Sequence, residues 1–267
     1  MTAIALAIRS FRDELALHRR VIWALLMREL ATRYGRENAG FLWLILEPLV
    51  FAGAVTLMWS LIRGQFENGL PVGAFTVTSY MTVILWRHML GHGANAVTAN
   101  STLLYHRHIT ILHLFISRLL LEFISVTFAS FTIYLVMAAI GQMDPPKNLP
   151  ILYLGWFLTG WLSFGLALIM GSLATLFDFV ERVIQVITYI MMPLSASFYM
   201  LAWIPGQFRK IALLNPYVSA TEMVHSGYFG EFIKAYYDLP YACACAMVLT
   251  LIGVFLARYV RDRTEIE

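Results

Sequence analysis

Charge is scarce in this chain. Asp, Glu, Lys and Arg make up 13% of its 267 residues, about half the share usual in a soluble globular domain. Apolar types make up 60%, and mean hydropathy is +0.70. A water-soluble enzyme domain is excluded, and an integral membrane protein is indicated. Cysteine is nearly absent. Cys243 and Cys245 sit in one apolar run, too close together for a disulfide framework and poorly placed for zinc, so they read as inert packing thiols. A secretory leader is not expected, because Arg9, Arg12 and Asp13 interrupt the first apolar stretch. Catalytic signatures are missing too. The chain lacks G-x-x-x-x-G-K-[ST] and H-E-x-x-H, which excludes nucleotide hydrolysis by a phosphate loop and zincin chemistry. "GWLSFG" at Gly160–Gly165 has the wrong spacing for a nucleophile elbow. No pair of Asp residues lies deep in separate spans, as an aspartyl intramembrane protease requires. Nor does the first half repeat in the second, as in a single-chain inverted-repeat carrier.

What is present is long apolar runs. Spanning a bilayer takes about 20 apolar residues in a helix. Six stretches meet or approach that: 41–62, 73–91, 116–140, 151–177, 183–203 and 239–258. Lys and Arg fall unevenly between the two sides they define. Fourteen lie on the side of both termini and five on the other, which puts both ends in the cytoplasm. The expected fold class is therefore an all-α integral membrane protein with six transmembrane helices. Residues 1–40 form a cytoplasmic interface helix, residues 41–259 the membrane domain and residues 260–267 a cytoplasmic tail. Within the membrane domain, a cytoplasmic loop covers about 92–115. An external segment covers about 204–238, with short re-entrant helices before the last span.

The N-terminal arm is amphipathic. Ile4, Ile8, Phe11, Leu15, His18, Ile22 and Leu25 recur at helical spacing, and Arg9, Arg12, Asp13 and Arg20 take the other face, as in helices lying in a membrane interface. Arg28, Arg33 and Arg36 then fall at headgroup depth. Together with Arg87, His88 and His92 they form a basic entrance set, able to attract anionic headgroups or merely to fix orientation. Glu47 precedes Pro48 about one turn below the interface, where a carboxylate is costly unless paired or hydrated. Its role is either structural pairing or lining of a conduit. The fourth span has a stripe of small residues, Gly160, Ser163, Ala167, Gly171 and Ala174, which suits close helix packing within the chain or at a dimer seam. Pro193 predicts a kink in the fifth span. Ser195, Ser197 and Tyr199 make a polar patch beyond it, and Glu222 lies at an interface in the external segment. These residues are conduit or structural candidates. Asn215-Pro216 is a helix start, with Asn as cap and Pro in the first turn. Trp43, Trp59, Trp86 and Trp203 lie near span ends and suit an aromatic belt.

The loop after the second span is rich in histidine. His88 and His92 are one helical turn apart, but no carboxylate accompanies them in that turn, so no metal site is expected. An amphipathic helix is expected near 101–114, with Leu103, Leu104, Ile109, Ile111 and Leu112 as apolar contacts. Arg118 and Glu122 are spaced to pair at the mouth of the third span.

Three stretches carry a resemblance. "RELATRYGRENAGFLWLILEPL" at Arg28–Leu49, "LLYHRHITILHLFISRLLLE" at Leu103–Glu122 and "NPYVSATEMVHSGYFG" at Asn215–Gly230 resemble segments of ABC exporter permeases for polysaccharides. The likeness is greatest to the capsular polysaccharide permeases of the inner membrane. The chain departs from many of them in having Ser219 where they have His. The resemblance implies a transport permease rather than an enzyme, in the bacterial inner membrane and working as a homodimer on two ATP-binding cassette subunits. ATP and magnesium would sit on those partners, with no cofactor in this chain. It implies Tyr105, His106, Arg107, His108, Ile109, Leu112 and His113 as the ATPase-coupling segment. A lipid-linked polysaccharide would be the substrate, with membrane lipids around it and a periplasmic copolymerase and outer-membrane exporter beyond. No nucleic-acid partner is expected. A drug or lipid efflux permease, an O-antigen or teichoic acid exporter permease, and an intramembrane glycosyltransferase are the alternatives.

Overall fold

The computed structural model describes residues 3–34, 46, 49–50, 53–55, 57–58, 61, 66–67, 69–105, 109–232 and 234–264. The first expected span, with Glu47, Pro48, Trp43 and Trp59, lies largely outside the described residues. The N-terminal helix α1 runs Ala3–Tyr34, about 48 Å at ~1.5 Å per residue. Leu25 and Leu26 are buried, whereas Leu15 and Trp23 are exposed. Of the expected apolar face, among the side chains described, Leu25 is buried and Ile22 half-buried, whereas Leu15 and His18 are exposed. A two-stranded hairpin follows, β1 Phe66–Glu67 and β2 Leu70–Pro71, antiparallel with Phe66 opposite Pro71. Gly69 takes φ 82° in its turn, which glycine adopts without steric cost.

Helix α2, Val72–Ala94, matches the second expected span and is buried along most of its length. Helix α3, Ile111–Ala139, starts five residues earlier than expected. Helix α4, Leu149–Leu176, has Asn148 as its cap, accepting from the Ile151 N–H at 3.3 Å. Helix α5 runs Phe179–Leu194, and α6 and α7 run Gly206–Ala212 and Pro216–Phe229. Helix α8, Leu239–Thr264, is the last. Among the described residues, three helices are long and apolar enough to cross a membrane, namely α3, α4 and α8 over Leu239–Arg261.

Helix α4 is the hub, packed against α8, α7 and α2, while α1 lies along α3. The small-residue stripe explains the hub. A methyl group at Gly171 would overlap the Gly93 carbonyl and the Phe115 ring, and Ala167 faces Gly93. Ser163 accepts from the Tyr217 hydroxyl at 3.2 Å. These residues of the stripe therefore pack within the chain, where close backbone approach maximises dispersion contact.

Three expectations need correction. The fifth span does not continue to residue 203 with a kink at its middle. Helix α5 has 16 residues and stops one residue after Pro193. Ala196 takes φ 58° there, and Asn215 Nδ2 caps the freed Leu194 carbonyl at 2.9 Å. The helix thus ends at the turn through Ala196, two residues beyond its last residue, rather than bending at Pro193 and continuing. Nor is 101–114 one helix. Thr98–Tyr105 is a tight 3-10 segment with a kink at Asn100. Residues 109–110 are non-helical, and α3 begins only at Ile111 behind the Thr110 cap. Finally, Trp86 is buried against Tyr217, ring centroids 6.0 Å apart, so it is a core residue rather than part of a belt.

Candidate functional site

Two polar regions lie at opposite ends of the helices. The first is built on α7. Asn215 caps it as expected, its side chain accepting from the Tyr217 N–H at 3.1 Å with Pro216 in the first turn. The helix is buried almost throughout. Glu222 on it is 1% exposed, yet both its oxygens are engaged. Leu201 N–H donates to Oε1 at 2.9 Å and Tyr236 N–H to Oε2 at 3.2 Å. Arg209 donates to the Leu201 and Ile204 carbonyls, both at 3.0 Å, and lies 3.8 Å over the Tyr236 ring. One carboxylate and one guanidinium thereby fasten two loops that carry no regular ladder. Such charge-assisted bonds are each worth about 1.5–3 kcal/mol. The Ser195 and Ser197 hydroxyls lie 2.7 Å apart, both buried, and Ser195 also donates to the Met192 carbonyl at 3.0 Å. Tyr199 is half-buried. Ser219 accepts from Asp238 N–H at 3.1 Å, and His225 Nε2 is 2.9 Å from Ser79 Oγ. Glu222, Ser195 and Ser197 therefore make structural contacts.

The second region is a cavity of about 340 Å³ between α2 and α5, lined by Arg87, His88, His92, Asn95, Gln185 and Thr188 among others. Arg87 lies 5.5 Å from the centre of the Tyr189 ring, a cation–π distance. His88 and His92 project side by side from α2, and Glu122 reaches them from α3. The carboxylate oxygens lie 3.6 Å from His88 Nδ1 and 3.7 Å from His92 Nε2. The three donor atoms lie within 4.8 Å of one another, near enough to share one cation. Arg118, expected beside Glu122, reaches Glu29 on α1 at 3.3 Å and the Asn95 carbonyl at 2.9 Å. Arg28 donates to Asn100 Oδ1 at 3.0 Å, which anchors α1 to the loop after α2. Of the entrance set, then, the cavity brings Arg87, His88 and His92 together, and Arg28 is fixed elsewhere. Arg36 lies outside the described residues, as does the side chain of Arg33.

Of the coupling segment, His106, Arg107 and His108 lie outside the described residues, as does the side chain of Tyr105. Ile109 and Leu112 are half-buried. His113 is turned inward. Its Nδ1 accepts from Thr110 N–H at 3.1 Å, and its Nε2 is 2.7 Å from His18 Nδ1 on α1. With the Thr110 hydroxyl accepting from His113 N–H at 3.4 Å, this is a capping box with His in the usual Glu or Gln position. A mostly apolar groove of about 350 Å³ runs past it, lined by His18, Ile22, Leu112, Ile116, Arg258 and Arg261 among others.

Residues 20–229 match the ABC-2 type transporter family. The chain belongs to that family. About nine-tenths of the chain is also similar to curated proteins. Capsule polysaccharide export inner-membrane protein CtrC of Neisseria meningitidis serogroup B is 37% identical over 245 residues, covering 92% of each chain. Capsule polysaccharide export inner-membrane protein BexB of Haemophilus influenzae is 34% identical over 249 residues, 93% of this chain and 94% of that one. Polysialic acid transport protein KpsM of Escherichia coli is 25% identical over 235 residues, 88% and 91%.

For this ABC-2 transporter, the sequence marked both histidines but not their carboxylate partner. Glu122 lies 30 residues beyond His92 and on another helix, so helical spacing within α2 held no sign of it. The signal was a lone acid in an apolar run, Glu122 following "LLL". Intramembrane acids mark functional sites by default.

Proposed function

We propose that the chain is the membrane-spanning permease subunit of an ATP-driven exporter that moves a lipid-linked capsular polysaccharide across the bacterial inner membrane. The observation that carries this reading is the likeness, over nine-tenths of the chain, to inner-membrane proteins named for capsule polysaccharide export. The apolar helices and the absence of a phosphate loop from the sequence agree with it. ATP and magnesium belong to two separate cassette subunits, and two copies of this chain enclose the path. A periplasmic copolymerase and an outer-membrane exporter continue it. The chain crosses the membrane six times with both termini cytoplasmic, α5 running outward from the cytoplasmic-side cavity and the α6–α7 pair serving the external half.

The groove beside α3 supports a docking role for the segment around Ile109. It is apolar, it is flanked by Arg258 and Arg261, and the His18–His113 contact ties it to α1. A nucleotide-driven push on this segment passes directly into α3. Tyr105, Ile109 and Leu112 meet the cassette subunit, while His113 holds the segment in place. Replacing Ile109 with Asp should lower co-purification of the cassette subunit while the permease stays in the membrane. The function itself is tested by deleting the gene in a capsulate host and locating the polymer. Polysaccharide accumulating in the cytoplasm is the expected result. Its absence from the cell altogether would point to a synthetic enzyme instead.

A further inference from the structure

Two imidazoles and a buried carboxylate meet at one point beside a cavity, and neither secondary structure nor core packing requires them to. His88 and His92 are a turn apart on α2, with ring centroids 5.7 Å apart, the helical spacing that places two imidazole donors on one side of a helix. Glu122 comes from α3 and is 1% exposed, whereas His88 and His92 are 31% and 41% exposed. The nitrogen–oxygen separations of 3.6 and 3.7 Å exceed hydrogen-bond range, which ends near ~3.2 Å for N–H···O. They are close to the spacing of two ligands on a shared ion. Donors each about 2.1 Å from a tetrahedral zinc lie roughly 3.4 Å apart. His88 Nδ1 is buried and has no hydrogen-bond partner among the described residues.

We propose that His88, His92 and Glu122 form a binding site for a divalent first-row transition ion of the zinc class. Two imidazoles and one carboxylate make a borderline ligand set that suits such ions and disfavours magnesium or calcium, which take oxygen donors. Three protein ligands leave a fourth position. The cavity supplies room for it, with Asn95, Gln185 and Thr188 as polar neighbours, so water or an anionic oxygen completes the shell. The ion cross-links α2 to α3. The site stands whether or not the chain exports a polysaccharide.

The test uses the full-length permease in detergent micelles or nanodiscs, stripped with chelator and titrated with zinc against a chromophoric competitor. Cobalt substitution then reports the coordination geometry. One ion per chain is expected, with a cobalt spectrum of four-coordinate type. His88→Asn and His92→Asn should each weaken zinc binding by at least tenfold. Both side chains are partly exposed, so these variants should remain monodisperse. Zinc should raise the thermal midpoint of the parent and not of either variant. Absence of stoichiometric binding would overturn the proposal, as would parent-like affinity in both variants. A stability that responds to pH but not to zinc would overturn it as well, in favour of a proton-operated ion pair.

Discussion

The molecule buries two glutamates to the same degree and treats them differently. Glu222 and Glu122 are each 1% exposed. Glu222 meets backbone N–H groups at 2.9 and 3.2 Å, inside hydrogen-bond range. Glu122 meets two imidazoles at 3.6 and 3.7 Å, beside an open cavity. Burial therefore does not distinguish the two, and donor identity and distance do. A carboxylate bonded to the main chain of two loops fixes their path. A carboxylate held just beyond reach of two titratable, metal-ligating rings leaves room for something between them.

The contrast is broken most forcefully at Glu222. Glu222→Ala strips the acceptor from one buried and one part-buried N–H group and should cost about 3 kcal/mol or more. The expected reading is a large fall in the thermal midpoint of detergent-solubilised protein and faster proteolysis of the loops around 195–205 and 234–238. Zinc should not restore it. Glu122→Gln gives the converse. The metal-free variant should unfold nearer the parent than Glu222→Ala does. It should also lose the zinc-dependent gain, which is roughly 2.7 kcal/mol for the parent at a hundred times the dissociation constant. Gly171→Ala probes the cavity's support. The added methyl meets the Gly93 carbonyl and Phe115, so overpacking should cost about 1–3 kcal/mol. It should weaken zinc binding, because Gly93 adjoins His92, and leave the Glu222 contacts intact. Ser195→Ala removes one hydroxyl pair near the loop that Glu222 holds. It should cost about 1 kcal/mol, with zinc affinity unchanged.

Much of the fold was legible because apolar length and capping chemistry are local. The runs at 73–91, 151–177 and 239–258 became α2, α4 and α8 with shifts of a few residues, and Asn215-Pro216 opened α7 as its side-chain chemistry dictates. What failed was decided by partners distant in sequence. Pro193 was read as a kink because the apolar run continues past it. The chain instead turns at Ala196, where Asn215 takes up the Leu194 carbonyl. The stretch from residue 101 has helical periodicity, but Thr110 and His113 close a cap on each other and start the helix at Ile111. Of the site, both histidines were visible, but Glu122 was read only as a partner of Arg118, since α3 brings it to the histidines through tertiary packing. Likewise, the small stripe on α4 left two readings open until Gly93, Phe115 and Tyr217 were seen against it.

Export itself is tested most directly in sealed vesicles. The permease and its cassette subunits are reconstituted together, with the ATP sites facing outward, and lipid-linked capsular polymer is added outside with ATP and magnesium. The account predicts polymer that becomes protected from an added depolymerase only when ATP is hydrolysed. It also predicts loss of that protection with Ile109→Asp. Polymer that stays fully accessible while ATP turnover proceeds at its normal rate would contradict it.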